Sequence, residues 1–368
     1  MADPQRQADY FALVSGRRRG LWAAMLRGLL WAASLPYRAV VAARRAYYRL
    51  AARRVDLPVV SVGNLTVGGT GKTPLVVLVV RRLAAMGHRP VIVSRGYKRQ
   101  HGRTGDEAAA LRRELPPMVK QIESSDRYAA LCEVVRTEPH DVAVLDDGFQ
   151  HLRLYRNLDI VAVDATRPFG YGHCLPRGLL REPVSALRRA GVVVITRSDQ
   201  VDAVALADVE RRVQRYLRPG ATLLHASHRP TGLLLADGGT APMETLRGRP
   251  CYAFCGLGNP EAFHRTLADL GAVEAATRDF ADHHAYGPAD IAAIVEAARA
   301  AEAEWIVTTT KDFAKVASDD LVGRWPDAAK VAAVEIEIVL DEGNEALDDV
   351  LRPLVGAAEH GDRSHEEP

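Results

Sequence analysis

The chain has 368 residues, 48% hydrophobic and 26% charged, with a formal net charge of +2. That profile is globular and large enough for about two domains, which excludes a disordered or collagen-like chain. Cys132, Cys174, Cys251 and Cys255 form no C-x-x-C pair and no His/Cys cluster has zinc-ligand spacing, so neither a disulfide framework nor a zinc-finger module is expected, and reduced cytosolic thiols fit best.

The charge is uneven. Residues 1–54 hold 11 arginines and two acids, and the remainder is net negative. Arg17-Arg18-Arg19 precedes an apolar run, Leu21–Pro36, interrupted by Arg27 and followed by Arg38. No stretch reaches the ~18 uncharged residues of a membrane span. At helical spacing Trp22, Met25, Leu26, Leu29, Leu30 and Ala33 share a face, with Arg27 and Trp31 turned away. Such a basic, aromatic-rich amphipathic helix suits an anionic bilayer surface, and equally a helix packed on a core with solvated arginines.

In the run Val59–Pro74 a short β-branched strand enters a glycine-rich turn before Gly71-Lys72-Thr73 opens a long apolar helix. Gly68, Gly69, Thr70 and Gly71 let backbone N–H groups turn around an anion. Lys72 supplies charge for the outer phosphates, and the Thr73 hydroxyl is a ligand for Mg²⁺. Thr66 stands where a phosphate loop normally has its first glycine. A nucleoside triphosphate is the expected ligand.

Pro90–Ser94 reads as a buried parallel strand, followed by a glycine- and arginine-rich loop, residues 95–107, that carries Asp106. Loops at the carboxyl ends of parallel strands line the ligand crevice of such sheets. Asp141–Asp147 is an apolar strand ending in two acids, the arrangement in which a carboxylate binds Mg²⁺ directly or through water, so Asp146 and Asp147 are candidate ligands. Adjacent strand residues face opposite ways, so only one of them is placed for direct contact. Leu158–Asp164 and Gly191–Asp199 are further strands. Between them a Gly/Pro-shaped loop carries Arg181, a phosphate clamp, and Glu182, a further metal-side carboxylate. Thr196-Arg197-Ser198-Asp199 is similar to the element by which GTPases read guanine, with arginine in place of lysine.

Residues 222–245 hold a turn between short apolar runs, a hairpin connector. A second α/β pattern follows, with a strand at Cys251–Phe254, a helix from Glu261, a helix opened by Phe280–Tyr286, and a strand over Trp305–Asp312. Gly256-Leu257-Gly258 is explained by a helix-entry turn. The expected architecture is α/β. A P-loop kinase-like, doubly wound, mostly parallel sheet (55–221, with 1–54 as its basic N-terminal part) joins through the hairpin (222–245) to a smaller α/β domain (246–355), and the polar tail 356–368 is expected to be disordered.

Several stretches together resemble the tetraacyldisaccharide 4'-kinases, the lipid A 4'-kinases of Gram-negative lipopolysaccharide synthesis. They are Ser61–Asn64 through Gly68–Pro74, Ser94-Arg95-Gly96-Tyr97, Gly105-Asp106-Glu107, Leu145–His151, Leu179–Pro183, Phe254–Pro260, Phe280–His284 and Thr308–Asp312. That family's loop is itself atypical at the position of Thr66, whereas Lys98, Ala108 and Leu179 depart from its pattern without removing a reactive group. The resemblance implies transfer of the ATP γ-phosphoryl group to the 4'-hydroxyl of a glycolipid, a lipid A disaccharide 1-phosphate, at the cytoplasmic face of the bacterial inner membrane. The protein is then peripheral, held through its N-terminal region. It further implies Asp106 as proton acceptor supported by His283 from the second domain, Lys72 and Arg181 on the transferring group, and Thr73, Asp146, Asp147 and Glu182 around Mg²⁺. No nucleic-acid partner is expected. The alternative is a SIMIBI-type GTPase or metallochaperone NTPase that reads guanine through Thr196–Asp199.

Overall fold

The structure, a computed structural model, describes residues 4–95, 112, 115–282, 284–317, 325 and 331–356. Two helices lead the chain, α1 (Pro4–Val14) and α2 (Leu21–Ala51). Short apolar runs, most of them β-branched and buried on both faces, then make parallel strands, with helices following β1, β3 and β6. They are β1 (Val59–Asn64), α3 (Lys72–Ala85), β2 (Pro90–Ser94), β3 (Lys120–Glu123), α4 (Arg127–Thr137), β4 (Val142–Asp146), β5 (Leu158–Asp164), β6 (Val192–Thr196), α5 (Ala203–Gln214) and β7 (Thr222–Leu235). The second half contains β8 (Thr240–Ala241), β9 (Pro250–Cys255), α6 (Pro260–Asp269), β10 (Val273–Asp279), α7 (Pro288–Ala300), β11 (Trp305–Thr309), α8 (Thr310–Val316), β12 (Val331–Leu340) and α9 (Glu345–Gly356).

The chain divides into two compact units, residues 13–227 with 338–368 and residues 1–12 with 228–337. The expected boundaries gave 338–355 to the smaller domain. Instead α9 returns to the larger unit, where Leu347 and Leu351 join its core and Arg82 pairs with Asp348.

In the larger unit the strand order is β7-β6-β5-β1-β4-β2-β3, with every neighbour parallel. Alternation along the strands puts apolar side chains on both faces of the sheet. Val60, Val62, Ile92, Val144, Ile160 and Val194 pack on one face with Leu75, Val79 and Leu83 of α3. Val59, Val91, Val93 and Leu145 pack with Leu131 and Val134 of α4 on the opposite face. The chain builds outward from β1 through β2 and β3, returns to β4, then crosses to β5 on the other side. The carboxyl ends of β1 and β4 therefore meet where the order reverses, the crevice in which such sheets bind ligands.

In the smaller unit β10, β9, β11 and β12 run parallel in that order. The expected hairpin is the antiparallel pairing of Leu233 and Leu234 with Ala241 and Thr240, although β7 runs unbroken through residues 222–235. The strand expected over Trp305–Asp312 stops at Thr309, because the Thr309 side chain caps a helix by accepting the Asp312 N–H. The helix expected from Phe280 begins at Pro288.

Along α2 the residues turned inward follow a helical stripe, with Ala23 and Ser34 buried and Arg27, Leu30, Tyr37, Arg45 and Tyr48 half-buried. Trp22 (69% exposed), Met25, Leu26, Leu29 (61%) and Trp31 are left outside. Among the described residues no helix is long and apolar enough to cross a membrane.

Candidate active site

Everything expected of the phosphate loop lies between β1 and α3. Gly68 and Gly71 have φ of 107° and 78°, backbone that a side chain rarely adopts, and Gly71 precedes Lys72 at the first turn of α3. Among the described residues that first turn holds no acid and no side-chain cap, so its N–H groups and positive dipole end suit an anion. The loop is braced from behind. Thr66 bridges to Leu180 and the Val67 N–H donates to the Leu179 carbonyl. The Thr196 hydroxyl donates to the Thr70 carbonyl (3.0 Å), and Arg197, whose guanidinium pairs with Asp164, reaches the Gly69 carbonyl (3.4 Å). The two leading residues of the suspected guanine reader are thus committed to holding the loop.

The turn after β4 supplies the facing wall. Asp146 closes the strand opposite Val62, and Asp147 takes a positive φ of 48° that swings its carboxylate toward the loop. This tight turn depends on two glycines. A Cβ on Gly148 would lie 2.7 Å from the Ser61 hydroxyl, and one on Gly63 would lie 2.6 Å from Phe149 Cβ. Phe149 is fully buried and the Gln150 amide donates to the Asn64 carbonyl at 2.9 Å. Arg127, itself buried, ties down the turn by donating to the Asp146 carbonyl at 2.8 Å.

Four side chains converge here. Arg181 forks onto both Asp147 oxygens at 2.8 Å each, and Lys72 Nζ lies 3.6 Å from the same carboxylate. Asn64, wholly buried, receives Lys72 on its side-chain oxygen at 3.2 Å and Arg181 on that same atom. Burial would raise the Asp147 pKa, but the Arg181 fork and the Lys72 and Arg127 charges outweigh it and hold the carboxyl well below its usual range. His151, on the same turn, is pushed down to about 4 by burial and by Arg127, Arg156, Arg153 and Arg44. Among the described residues, buried Thr70 Oγ1 and Arg181 Nε have no hydrogen-bond partner, acceptor-seeking groups in a site suited to phosphate oxygens.

The oxygen donors of Thr73 and Asp146, at the ends of adjacent elements, are of the hard type Mg²⁺ takes. Glu182 is engaged by arginines instead. It is 3% exposed, with both oxygens forked by Arg189 (2.7 and 3.0 Å) and Arg45 of α2 at 3.7 Å. Arg189 also lies over the Phe149 ring at 4.2 Å. Asp106 and His283 lie outside the described residues. Sequence reasoning assigned no role to Asn64, Arg127 or Arg189. Only Asn64 left a signal, as a polar residue closing an apolar strand directly before a glycine-rich turn.

A model of the tetraacyldisaccharide-1-P 4'-kinase family matches residues 26–355. A tetraacyldisaccharide 4'-kinase of Anaeromyxobacter sp. (strain K) is 40% identical over 364 residues, covering 93% of this chain and 94% of that relative. Another, from Geobacter metallireducens, is 40% identical over 79% of this chain and 89% of its own length. The crystal structure of LpxK from Aquifex aeolicus in complex with ATP is similar with a TM-score of 0.67 and 28% identity, covering 90% of this chain and 99% of that one. The fold, the phosphate loop and these relatives agree, and the chain belongs to the tetraacyldisaccharide 4'-kinase family.

Proposed function

We propose that this chain is an ATP-dependent kinase that phosphorylates the 4'-hydroxyl of a tetraacyldisaccharide 1-phosphate, a lipid A precursor. The observation that carries the reading is the convergence of Lys72, Arg181, Asn64 and Asp147 on the phosphate loop of a chain in this family. Phosphoryl transfer needs positioning and charge neutralisation more than covalent help. The loop amides from Gly68 to Gly71 and the Lys72 ammonium hold the β- and γ-phosphates. Asp147 fixes Lys72 and Arg181 in place before ATP arrives. Arg181, released in part from that fork, meets the charge on the transferring group. Thr73 and Asp146 would hold Mg²⁺, which neutralises phosphate charge when bound, with Asp147 as their alternate donor. Glu182 as a metal ligand would require exchange of its Arg189 fork, so we read it as the anchor of the loop that carries Arg181. Asp106 as the base for the sugar hydroxyl, supported by His283, rests on the resemblance.

The exposed ridge of Trp22, Met25, Leu26 and Leu29, flanked by arginines, supports peripheral contact with the cytoplasmic face of the inner membrane, where the glycolipid is presented. The guanine-reading alternative is not favoured, because the family and the relatives that match the chain are tetraacyldisaccharide 4'-kinases. The test is Asp106→Ala. Transfer of labelled phosphate from ATP to the glycolipid should fall ~10²–10⁴-fold, as for removal of a general base, with ATP still bound. Unchanged turnover would remove Asp106 from the mechanism.

A further inference from the structure

The smaller unit carries a cluster that phosphoryl transfer does not use. Cys255 ends β9 and Asp279 ends the neighbouring parallel strand β10, and the two are register partners. The helix that connects these strands, α6, brings His264 to the same spot. His264 Nε2 lies 2.9 Å from Asp279 Oδ1, Cys255 Sγ lies 3.6 Å from that same oxygen, and all three atoms fall within 4.8 Å of one another. The other ring nitrogen, Nδ1, is 2.6 Å from Glu274 Oε1.

We propose that Cys255, His264 and Asp279 form a binding site for a divalent transition metal of the zinc type, with Glu274 orienting the imidazole. The donor set is one thiolate, one imidazole and one carboxylate, the types that zinc takes. Tetrahedral bonds of ~2.0–2.3 Å put such donors ~3.3–3.8 Å apart, so the observed spacing needs shifts of only about 1 Å or less. Metal-bound histidines regularly donate their second ring N–H to a carboxylate, which is the place Glu274 occupies. The Cys255 side chain is buried, while Asp279 is 47% exposed and opens the fourth position to water.

Each ligand sits on a different element of one β-α-β unit, so a bound ion would lock β9, α6 and β10 together. The metal would take Cys255 as thiolate and His264 as neutral imidazole through Nε2, so protons on those atoms leave to solvent on binding.

The experiment uses the full chain, reduced and stripped with a chelator, titrated with Co²⁺ and followed by absorption. One equivalent should produce a thiolate-to-cobalt charge-transfer band in the near ultraviolet, with Zn²⁺ displacing it. Cobalt at Thr73 and Asp146 gives no such band, because the donors there are oxygens. Cys255→Ser should abolish the band, and Glu274→Gln should keep it while weakening cobalt binding ~10–100-fold. If Cys255→Ser does not fold, His264→Gln, on a partly exposed residue, takes its place and should also weaken binding at least tenfold. Absence of the band in the natural chain, or its survival in Cys255→Ser, would overturn the site and leave a histidine paired with two carboxylates.

Discussion

Gly63→Ala tests whether the turn bearing the two aspartates is shaped by backbone contact with β1. The added Cβ would lie 2.6 Å from Phe149 Cβ and 2.8 Å from the Phe149 backbone nitrogen. Carbon atoms pack at about 3.5 Å or more, so roughly 1 Å must open between β1 and the turn. Phe149 is fully buried beside Leu65, Leu180 and Leu187 and cannot yield into solvent. Overpacking of that kind costs ~1–3 kcal/mol. In a unit of this size each kcal/mol lowers Tm by ~2–4 °C, so a fall of ~2–12 °C is expected. The displaced segment carries Asp146 and Asp147, and a misplacement of about 1 Å in such a site costs ~10²-fold in rate. Differential scanning fluorimetry and phosphoryl transfer, run on one preparation, read both effects. Gly28→Ala is the control, since its Cβ meets nothing within 4 Å and an exposed helical site should gain ~0.5–1 kcal/mol. A Gly63→Ala protein with natural Tm and natural turnover would refute the argument.

Arg181→Lys keeps the charge but loses the fork on Asp147, so kcat should drop ~10²-fold with Tm little changed and ATP affinity altered less than ~10-fold, measured by steady-state kinetics and calorimetry. Glu182→Gln leaves Arg189 without its buried partner and should cost ~3–5 kcal/mol of stability by chemical denaturation. A normal stability with a raised requirement for Mg²⁺ would instead make Glu182 a metal ligand. The folded His151 has its pKa pushed down to about 4, below the ordinary 6.5, so between those values the unfolded chain takes a proton that the folded one refuses. That contribution to stability is whole above pH 6.5 and is lost as pH falls toward 4. His151→Gln should therefore lose less Tm than the natural chain between pH 7 and pH 5. Leu26→Glu with Leu29→Glu, both on exposed positions, should leave Tm unchanged and reduce pelleting with anionic vesicles several-fold, while equal pelleting would remove α2 as the contact.

Elements written in local pattern were legible in the sequence. β1, β2, β5 and β6 are continuous β-branched runs, and the loop from Gly68 to Lys72 declares itself by its glycines. What escaped depends on distant residues meeting. Nothing near Glu182 foretells that Arg189 and Arg45 take its oxygens, because one lies on the next turn and the other on a helix more than a hundred residues earlier. Arg197 looked like part of a base-reading motif until Asp164 and the Gly69 carbonyl occupied it. The return of α9 to the larger unit was hidden because its amphipathic pattern fits either unit, and the Arg82–Asp348 pair decides the matter. In the same way Cys255, His264 and Asp279 have no zinc-motif spacing, and only parallel register with a crossover helix brings them together.

The central claim is phosphoryl transfer from ATP to a lipid sugar through the loop at Lys72. The direct measurement supplies γ-labelled ATP, Mg²⁺ and a tetraacyldisaccharide 1-phosphate in mixed micelles and follows label into the lipid. The account predicts a labelled 4'-phosphate product from the natural chain, none from Lys72→Met, and no comparable product when labelled GTP replaces ATP. Release of labelled phosphate to water with no labelled lipid, or a preference for GTP, would contradict it.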